Sequence, residues 1–188
     1  MSTNTSLSTA VLPARIILTL IGTATSVGGY LADWNDTHVF NPKWTPHAKF
    51  HNGQTMSTGL GLGLLTFYYA WRGTNTSTRE GLMDNLLTAT LMASLYWATQ
   101  LSAILYPGTK WVDEEFRESH GEPQKRGAPV IFGVCWAAFG IGWWRLGGEM
   151  IATISTTSYA AMAGWLRFAL LMQVSSNVAS ASFDPVSH

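Results

Sequence analysis

The sequence has little cysteine and little charge, and these two shortages exclude several classes of protein. Only one cysteine, Cys135, stands among 188 residues, so the chain has no internal disulfide and no cysteine-based zinc finger. Charged residues make up 12% of the chain, about half the share found in soluble domains. The net charge is zero, whereas binding to nucleic acid requires a basic surface. We therefore expect no nucleic-acid partner.

Long apolar segments are present instead, and polar stretches separate them. Hydrophobic residues make up 47% of the chain, and four segments approach or exceed the roughly 20 residues that a helix needs to cross a bilayer. A backbone inside lipid must satisfy its own hydrogen bonds, which favours helices. We therefore predict an all-α fold, an integral membrane four-helix bundle. The predicted spans are residues 11–32, 46–71, 80–106 and 129–147.

The predicted domain organisation is a four-span domain with a tail at each end. Residues 1–10 form a polar tail, residues 11–148 hold the four spans, and residues 149–188 form a C-terminal extension. In that extension, residues 149–174 are a fifth helix, an interfacial helix or a weakly ordered segment, and a disordered tail follows. The first span also has features of a cleaved signal peptide, because Arg15 precedes an apolar stretch. The further spans downstream favour a transmembrane helix.

Tryptophans and basic residues indicate how the spans are arranged in a membrane. Tryptophan favours the membrane–water interface. Those expected at the two interfaces are Trp34, Trp44 and Trp111 on one side and Trp71, Trp143 and Trp144 on the other. The first side has more lysine and arginine than the second, which indicates that it faces the cytosol. We expect a multi-pass protein, located in the endoplasmic reticulum.

One polar loop stands out between the first two spans. Residues 32–51 (ADWNDTHVFNPKWTPHAKFH) hold three of the five histidines. Thr45 and Pro46 have the pattern of a helix start, with a threonine cap and proline in the first turn. His47 and His51 then lie on one face of that helix. Farther along, Gly59 and Gly63 have the spacing typical of helices that pack closely in membranes, not of a phosphate-binding loop.

Aromatic and amide side chains within the spans extend this candidate site. Trp97, Gln100 and Trp136 lie roughly 9 to 14 Å from the ends of their helices on the histidine side, at 1.5 Å per residue. We predict a pocket that opens to this side under the loop. Its expected substrate-binding residues are Trp34, Asn35, Trp44, Tyr96, Trp97 and Trp136.

Four interpretations of the loop compete. A metal site at His38, His47 and His51 is disfavoured, because membrane di-iron hydroxylases use more histidines and no HExxH motif is present. Metal-free acid–base catalysis by histidine and a carboxylate is favoured. A lipid-binding or chaperone-like protein without chemistry, and a purely structural loop, remain alternatives. We expect no metal and no cofactor.

The loop resembles a signature of small multi-span membrane proteins of fungi and some bacteria. Some fungal members are similar to epoxide hydrolases or cyclases of polyene polyketide pathways, such as those of aurovertin- or citreoviridin-type metabolites. The resemblance covers about residues 12–145. It implies opening of an epoxide on a lipophilic polyene during secondary-metabolite biosynthesis, followed by hydrolysis or cyclisation. The helix count is also similar to the emopamil-binding-protein group, which implies the alternative of a sterol or lipid isomerase.

The resemblance and the residues together suggest a division of roles. Asp33 is the expected acid or water-orienting carboxylate, and His47 or His51 is the expected base. His38 and Gln100 are expected to orient the reacting groups. The expected partners are a lipophilic small-molecule substrate and membrane lipids. A non-catalytic lipid- or sterol-binding protein is the alternative from another class.

Overall fold

All regular secondary structure in the described part of the chain is helical, which confirms the all-α prediction. The structure is a computed structural model and describes residues 7–73 and 78–147. Four long helices account for most of these residues: α1 (Leu12–Asp33), α2 (Pro46–Trp71), α3 (Arg79–Ala103) and α4 (Pro123–Arg145). Between α3 and α4 lie a 3₁₀ turn, Glu114–Phe116, and a single helical turn, Arg117–His120.

The chain ends are only partly covered. Residues 7–10, which belong to the expected polar tail, are helical. Leu7 and Ala10 pack against a small cluster formed by Val11, Leu82, Met83 and Leu146. The expected extension, residues 149–188, lies outside the described residues, and so does its predicted fifth helix.

Helix α2 begins where the sequence predicts. The Thr45 hydroxyl accepts a hydrogen bond from the Ala48 backbone N–H at 3.3 Å, and Pro46 is the first helical residue. This cap satisfies one of the backbone donors that a helix start leaves free. Proline fits there because it has no N–H to leave unpaired. The predicted span, residues 46–71, and the observed helix coincide.

The prediction for α4 was wrong at its start. The helix begins at Pro123, and Pro129, the predicted first residue, lies inside it. A proline within a helix removes one backbone hydrogen bond, so it is a frequent but not a required boundary. At the other end of the segment that joins α3 to α4, α3 ends at Ala103, three residues before the predicted end at Tyr106. The Thr109 hydroxyl lies 3.0 Å from the Ala103 carbonyl oxygen and 2.8 Å from that of Tyr106, so its one proton serves the acceptors at this helix end.

Helices α1 and α2 pack through glycines, which confirms the packing role predicted for Gly59 and Gly63. A Cβ atom added at Gly63 would collide with the Ser26 hydroxyl and the Gly22 carbonyl oxygen. One added at Gly59 would lie 2.9 Å from the Thr25 carbonyl oxygen. Small side chains allow two helix backbones to approach in this way. The contact therefore requires glycine at Gly63.

The other helix pairs share a core of small side chains. Helix α1 packs against α2, α3 and α4, and α3 also packs against α2 and α4. Among the described residues, six of the fifteen buried hydrophobic side chains are alanines. Serine and threonine are buried beside them at Thr25, Ser26, Thr66, Thr90 and Ser94. Large apolar side chains lie mostly on the outside, for example Leu20 at 66% exposure and Leu31 at 79%.

Two helices in the described part of the chain, α1 and α4, are long and apolar enough to cross a membrane. Their best windows have mean hydropathies of 1.3 and 1.4. Alone this is weak evidence for membrane association, because a core helix of a soluble protein or a signal sequence has the same length and composition.

The α1–α2 contact leads to a stability prediction with a matched control. We expect Gly63→Ala to lower the free energy of unfolding by about 1–3 kcal/mol, because the added methyl group overpacks the contact. Gly61→Ala adds the same group where nothing lies within 4 Å. It should leave stability unchanged or raise it by up to about 1 kcal/mol, the helix-propensity difference. Thermal unfolding of the purified protein in detergent measures both, and equal midpoints for the two variants would contradict the contact.

Candidate functional site

The histidine-bearing loop between α1 and α2 meets the segment between α3 and α4, residues 104–122, at one end of the helices. This second segment is rich in charged residues and is called the charged loop below. The Lys43 ammonium group of the first loop pairs with the Glu115 carboxylate of the second. Between the loops lies a pocket of about 390 Å³. This volume is within the range of small-molecule sites, roughly 300–1,000 Å³. Seven residues from the range 31–44 line one side of the pocket, and nine from the range 110–124 line the other.

Asp33, the last residue of α1, borders this pocket and is firmly held. Its Oδ2 accepts a hydrogen bond of 2.7 Å from the Asn52 side-chain amide on α2. Its backbone carbonyl accepts from the Val39 N–H at 3.1 Å, which folds the loop back over the helix end. Its Oδ1 lies 3.7 Å from His38 Nδ1, and the carboxylate side chain is 15% exposed. Asp33 is therefore a partly buried carboxylate next to an imidazole.

The Asn35 side chain has only one possible orientation. Its Nδ2 donates to the Ala32 backbone carbonyl at 2.8 Å, and a carbonyl oxygen can only accept. Its Oδ1 accepts from the Thr37 backbone N–H at 2.8 Å, and this N–H can only donate. The two backbone groups thus fix which end of the amide is oxygen. Asparagine is favoured in such turns for this reason.

This orientation determines the hydrogen bonds of Thr37 and then the protonation of His38. The Thr37 hydroxyl lies 2.6 Å from Asn35 Oδ1, an acceptor, so it donates its one proton there. The same hydroxyl lies 2.6 Å from His38 Nδ1. Since its proton is already used, it accepts from the ring, and Nδ1 carries the proton. Neutral His38 then has its lone pair on Nε2.

The Nε2 atom of His38 is available to a ligand. His38 lines the pocket, and no group within residues 7–73 and 78–147 hydrogen-bonds to its Nε2. Trp44 contacts the ring edge to face, with centroids 4.9 Å apart. A neutral imidazole with a free lone pair is a general base. The loop thus presents a base of fixed tautomer with a carboxylate beside it.

The other walls of the pocket combine aromatic and charged groups. Trp111 and Phe116 supply apolar surface from the charged loop. Lys110 also lines the pocket and donates to Glu114 at 3.3 Å. Hydrogen bonds from Lys110 and Arg117 lower the pKa of the Glu114 carboxyl below its usual value. Gln124 adds a buried side-chain oxygen that has no hydrogen-bond partner among the described residues.

The predicted site residues divide into two groups. Four of them line the pocket: Asp33, Asn35, His38 and Trp44. The predicted pocket walls deeper in the helices are not among its lining residues. These are Tyr96, Trp97, Gln100 and Trp136. Trp97 instead donates to the Thr25 hydroxyl at 3.1 Å, and Trp136 packs against the core. Trp34 is exposed and stacks on Tyr30.

His47 and His51 lie together but outside the pocket lining. As predicted, they share a face of α2, and their Nε2 atoms are 3.0 Å apart. Both side chains are exposed. Neither is among the residues that line the pocket, so the structure does not bring either of them to Asp33 as the expected base. Within the described residues no cluster of three or more histidine, cysteine or acidic side chains could hold a metal.

Several site residues were missed by the sequence analysis. Thr37 and Asn52 position His38 and Asp33, and Trp111, Phe116 and His120 line the pocket. The Asn35-x-Thr37 spacing is a turn signal that points to Thr37. No local signal points to Asn52 or to the charged loop, because their contacts join segments far apart in sequence.

A family model matches residues 17–149, a range that includes most of α1, the other three long helices and both loops. Its description is "Family of unknown function (DUF6640)". The chain belongs to this family. No curated protein and no solved structure matches the chain. The family description assigns no reaction, so the function is argued from the pocket.

The hydrogen-bond chain predicts the tautomer of His38, which ¹⁵N NMR of histidine-labelled protein measures directly. We expect Nδ1–H in the wild type, with the His38 signal assigned from a His38→Gln spectrum. Thr37→Val removes the acceptor, worth about 1 kcal/mol, and should shift the ring toward Nε2–H. Thr37→Ser keeps the hydroxyl and should retain the wild-type spectrum. An Nε2–H ring in the wild type would refute the assignment.

Proposed function

We propose that this protein is a multi-pass membrane enzyme that opens an epoxide on a lipophilic polyene by acid–base catalysis at Asp33 and His38. The observation that carries the proposal is the fixed tautomer of His38, which leaves Nε2 free as a base beside a held carboxylate. The choice of reaction is supported by the resemblance of the loop to small membrane proteins, some of which are similar to epoxide hydrolases or cyclases. The pocket is the substrate site in this proposal.

The distribution of side chains supports a four-helix membrane bundle. Soluble proteins bury their large apolar residues and rarely expose extended apolar patches. Here alanine, glycine, serine and threonine make up much of the contact between the helices, together with a few leucines such as Leu18 and Leu86. Twenty large apolar side chains of the described residues are exposed, among them Leu20 and Leu31. Small residues inside and large apolar residues outside are typical of helices packed in lipid. This supports all four helices as spans, with the endoplasmic reticulum as the proposed membrane.

The proposed reaction balances with the groups at the pocket. His38 Nε2 takes a proton from water, or from a hydroxyl of the substrate, as its oxygen attacks an epoxide carbon. The C–O bond of the epoxide breaks, and the departing oxygen takes a proton from solvent water. The products are a diol from water or a cyclic ether from an internal hydroxyl. The resulting His38 imidazolium faces the Asp33 carboxylate, which stabilises it, and solvent exchange restores the starting protonation.

This assignment changes the roles expected from the sequence. The base is His38 in place of His47 or His51, because of these three histidines only His38 lines the pocket with Asp33. Asn35 and Thr37 are positioning residues, since they act on the substrate only through the His38 ring. Trp44, Trp111 and Phe116 supply apolar contact for the substrate. Buried apolar contact and a few oriented polar groups are typical of small-molecule sites.

Turnover of polyene epoxides tests the reaction. Membranes that contain the wild type should convert them in ¹⁸O-water to labelled diols, or to unlabelled cyclic ethers where an internal hydroxyl attacks. We expect Asp33→Asn and His38→Ala to lower the rate at least about 100-fold, the usual size of a general acid or base contribution. Asp36→Asn, in the same loop but outside the pocket lining, is the matched control and should remain active.

The products also separate the alternatives. In a second outcome, the wild type produces isomerised sterols or lipids that carry no label, while Asp33→Asn and His38→Ala do not. That result would refute epoxide opening and identify an isomerase that uses the same two residues. Binding of these lipids without any conversion, by a wild type that is folded, would refute catalysis and leave a lipid-binding protein.

Membrane topology is tested by labelling single cysteines in sealed vesicles with a maleimide that does not cross membranes. In a Cys135→Ser background, Asp36→Cys and Glu118→Cys should be labelled from the same side, because their loops meet at one end of the helices. Arg72→Cys, at the end of α2, should be labelled from the opposite side. Detergent should expose all three. Labelling of Asp36→Cys and Arg72→Cys from one side would exclude four spans.

A further inference from the structure

The two histidines of α2 form a distinct pair that the proposed reaction does not use. Their rings meet edge to face, with centroids 4.5 Å apart and Nε2 atoms 3.0 Å apart. They lie one turn apart near the start of α2, so the helix fixes their spacing. Phe50 contacts both rings, stacked against His47 and edge to face with His51. The pair is thus held in place but exposed on its outer side.

The pair has no anionic partner. Within residues 7–73 and 78–147, no carboxylate lies within ion-pair distance of His47 or His51. Two protonated rings at this distance would repel each other. Two neutral rings at this distance form one N–H···N hydrogen bond between their Nε2 atoms. If the donor ring moves that proton to its Nδ1, both Nε2 lone pairs become free, and a single metal ion can take the place of the hydrogen bond.

Gln54 prepares one of the two rings to bind a metal. Its side-chain oxygen Oε1 lies 3.3 Å from His51 Nδ1. This oxygen can only accept, so Nδ1 of His51 carries the proton and the lone pair lies on Nε2. Metal-binding histidines have this arrangement, in which the nitrogen that does not bind the metal donates to an oxygen. His47 reaches the same state when its own proton moves from Nε2 to Nδ1.

The distance between the nitrogens indicates which metals fit. With metal–nitrogen bonds of roughly 2.0–2.1 Å, two nitrogens 3.0 Å apart subtend an angle of roughly 90–95° at the ion. This is close to the right angle between neighbouring ligands in square-planar and octahedral complexes. Copper(II) and nickel(II) prefer tetragonal geometry and imidazole ligands. Tetrahedral zinc would need the nitrogens farther apart.

We propose that His47 and His51 bind a divalent transition metal ion of tetragonal preference, such as Cu²⁺, through their two Nε2 atoms. Water fills the remaining positions, since the described residues offer no third histidine, cysteine or carboxylate at the pair. This site lies on α2, outside the lining of the pocket. The proposal departs from the expectation of no metal, which rested on the small number of histidines and the absence of an HExxH motif.

Copper binding without substrate tests this proposal separately from the proposed reaction. One equivalent of Cu²⁺ is added to tag-free protein in detergent, and electron paramagnetic resonance counts the imidazole nitrogens bound to it. We expect two in the wild type. His47→Gln and His51→Gln should each bind Cu²⁺ at least about tenfold more weakly, with one nitrogen at most. His120→Gln removes a histidine elsewhere and should leave binding unchanged.

A second variant tests the role of Gln54. Gln54→Leu should keep two nitrogen ligands but weaken binding about tenfold, the usual cost of losing such an outer partner. Wild-type copper bound through one imidazole, or equal affinities in the wild type and His51→Gln, would overturn the proposal. Because the ligands are counted directly, a failure of epoxide turnover has no bearing on this result.

Discussion

The close approach of α1 and α2 sets the positions of the groups at the pocket. The contacts along this pair are, in order, Gly22 with Gly63, Thr25 with Gly59, Gly29 with Met56 and Asp33 with Asn52. Each contact lies three or four residues farther along α1 and about as many back along α2, which is one helical turn. The hydrogen bond between Asn52 and the Asp33 carboxylate is therefore the last contact in a helix register that glycines set. A larger side chain at Gly63 would separate the helices at the start of this series, so the glycine contact and the site are physically connected.

The loop that follows depends on the same fixed point. It has to return from Asp33 to the start of α2 at Pro46 within twelve residues, and its backbone groups need partners. Asn35 and Asn41 supply them, because their side chains bond to loop backbone at Ala32, Thr37 and Lys43. In doing so Asn35 also orients the Thr37 hydroxyl. The tautomer of His38 is thus a consequence of how the loop satisfies its backbone, and it requires no further residue.

Local patterns in the sequence were sufficient for the helices but not for the pocket. The cap at Thr45 and the pairing of His47 with His51 depend on neighbours within four residues, so both could be predicted. The start of α4 was misplaced because Pro129 was interpreted as a boundary, although proline is also tolerated within a helix at a cost. The pocket walls at Trp111 and Phe116 could not be predicted, because the charged loop shows only balanced charge. Its position depends on packing between distant segments, including the pairing of Lys43 with Glu115.

The pocket lies at an end of the helices, and this position suits the proposed reaction. Opening an epoxide with water would need both an apolar contact surface and access to water, and the loops at the helix ends can supply both. Deeper positions have a different requirement, because a buried polar hydrogen is costly without a partner. Trp97 meets this requirement at the Thr25 hydroxyl, whereas Trp136 Nε1 has no partner among the described residues. The Trp97 hydrogen bond holds α3 against α1, so this interior aromatic, which the sequence suggested as a substrate contact, stabilises the scaffold, while the loop residue His38 lines the pocket.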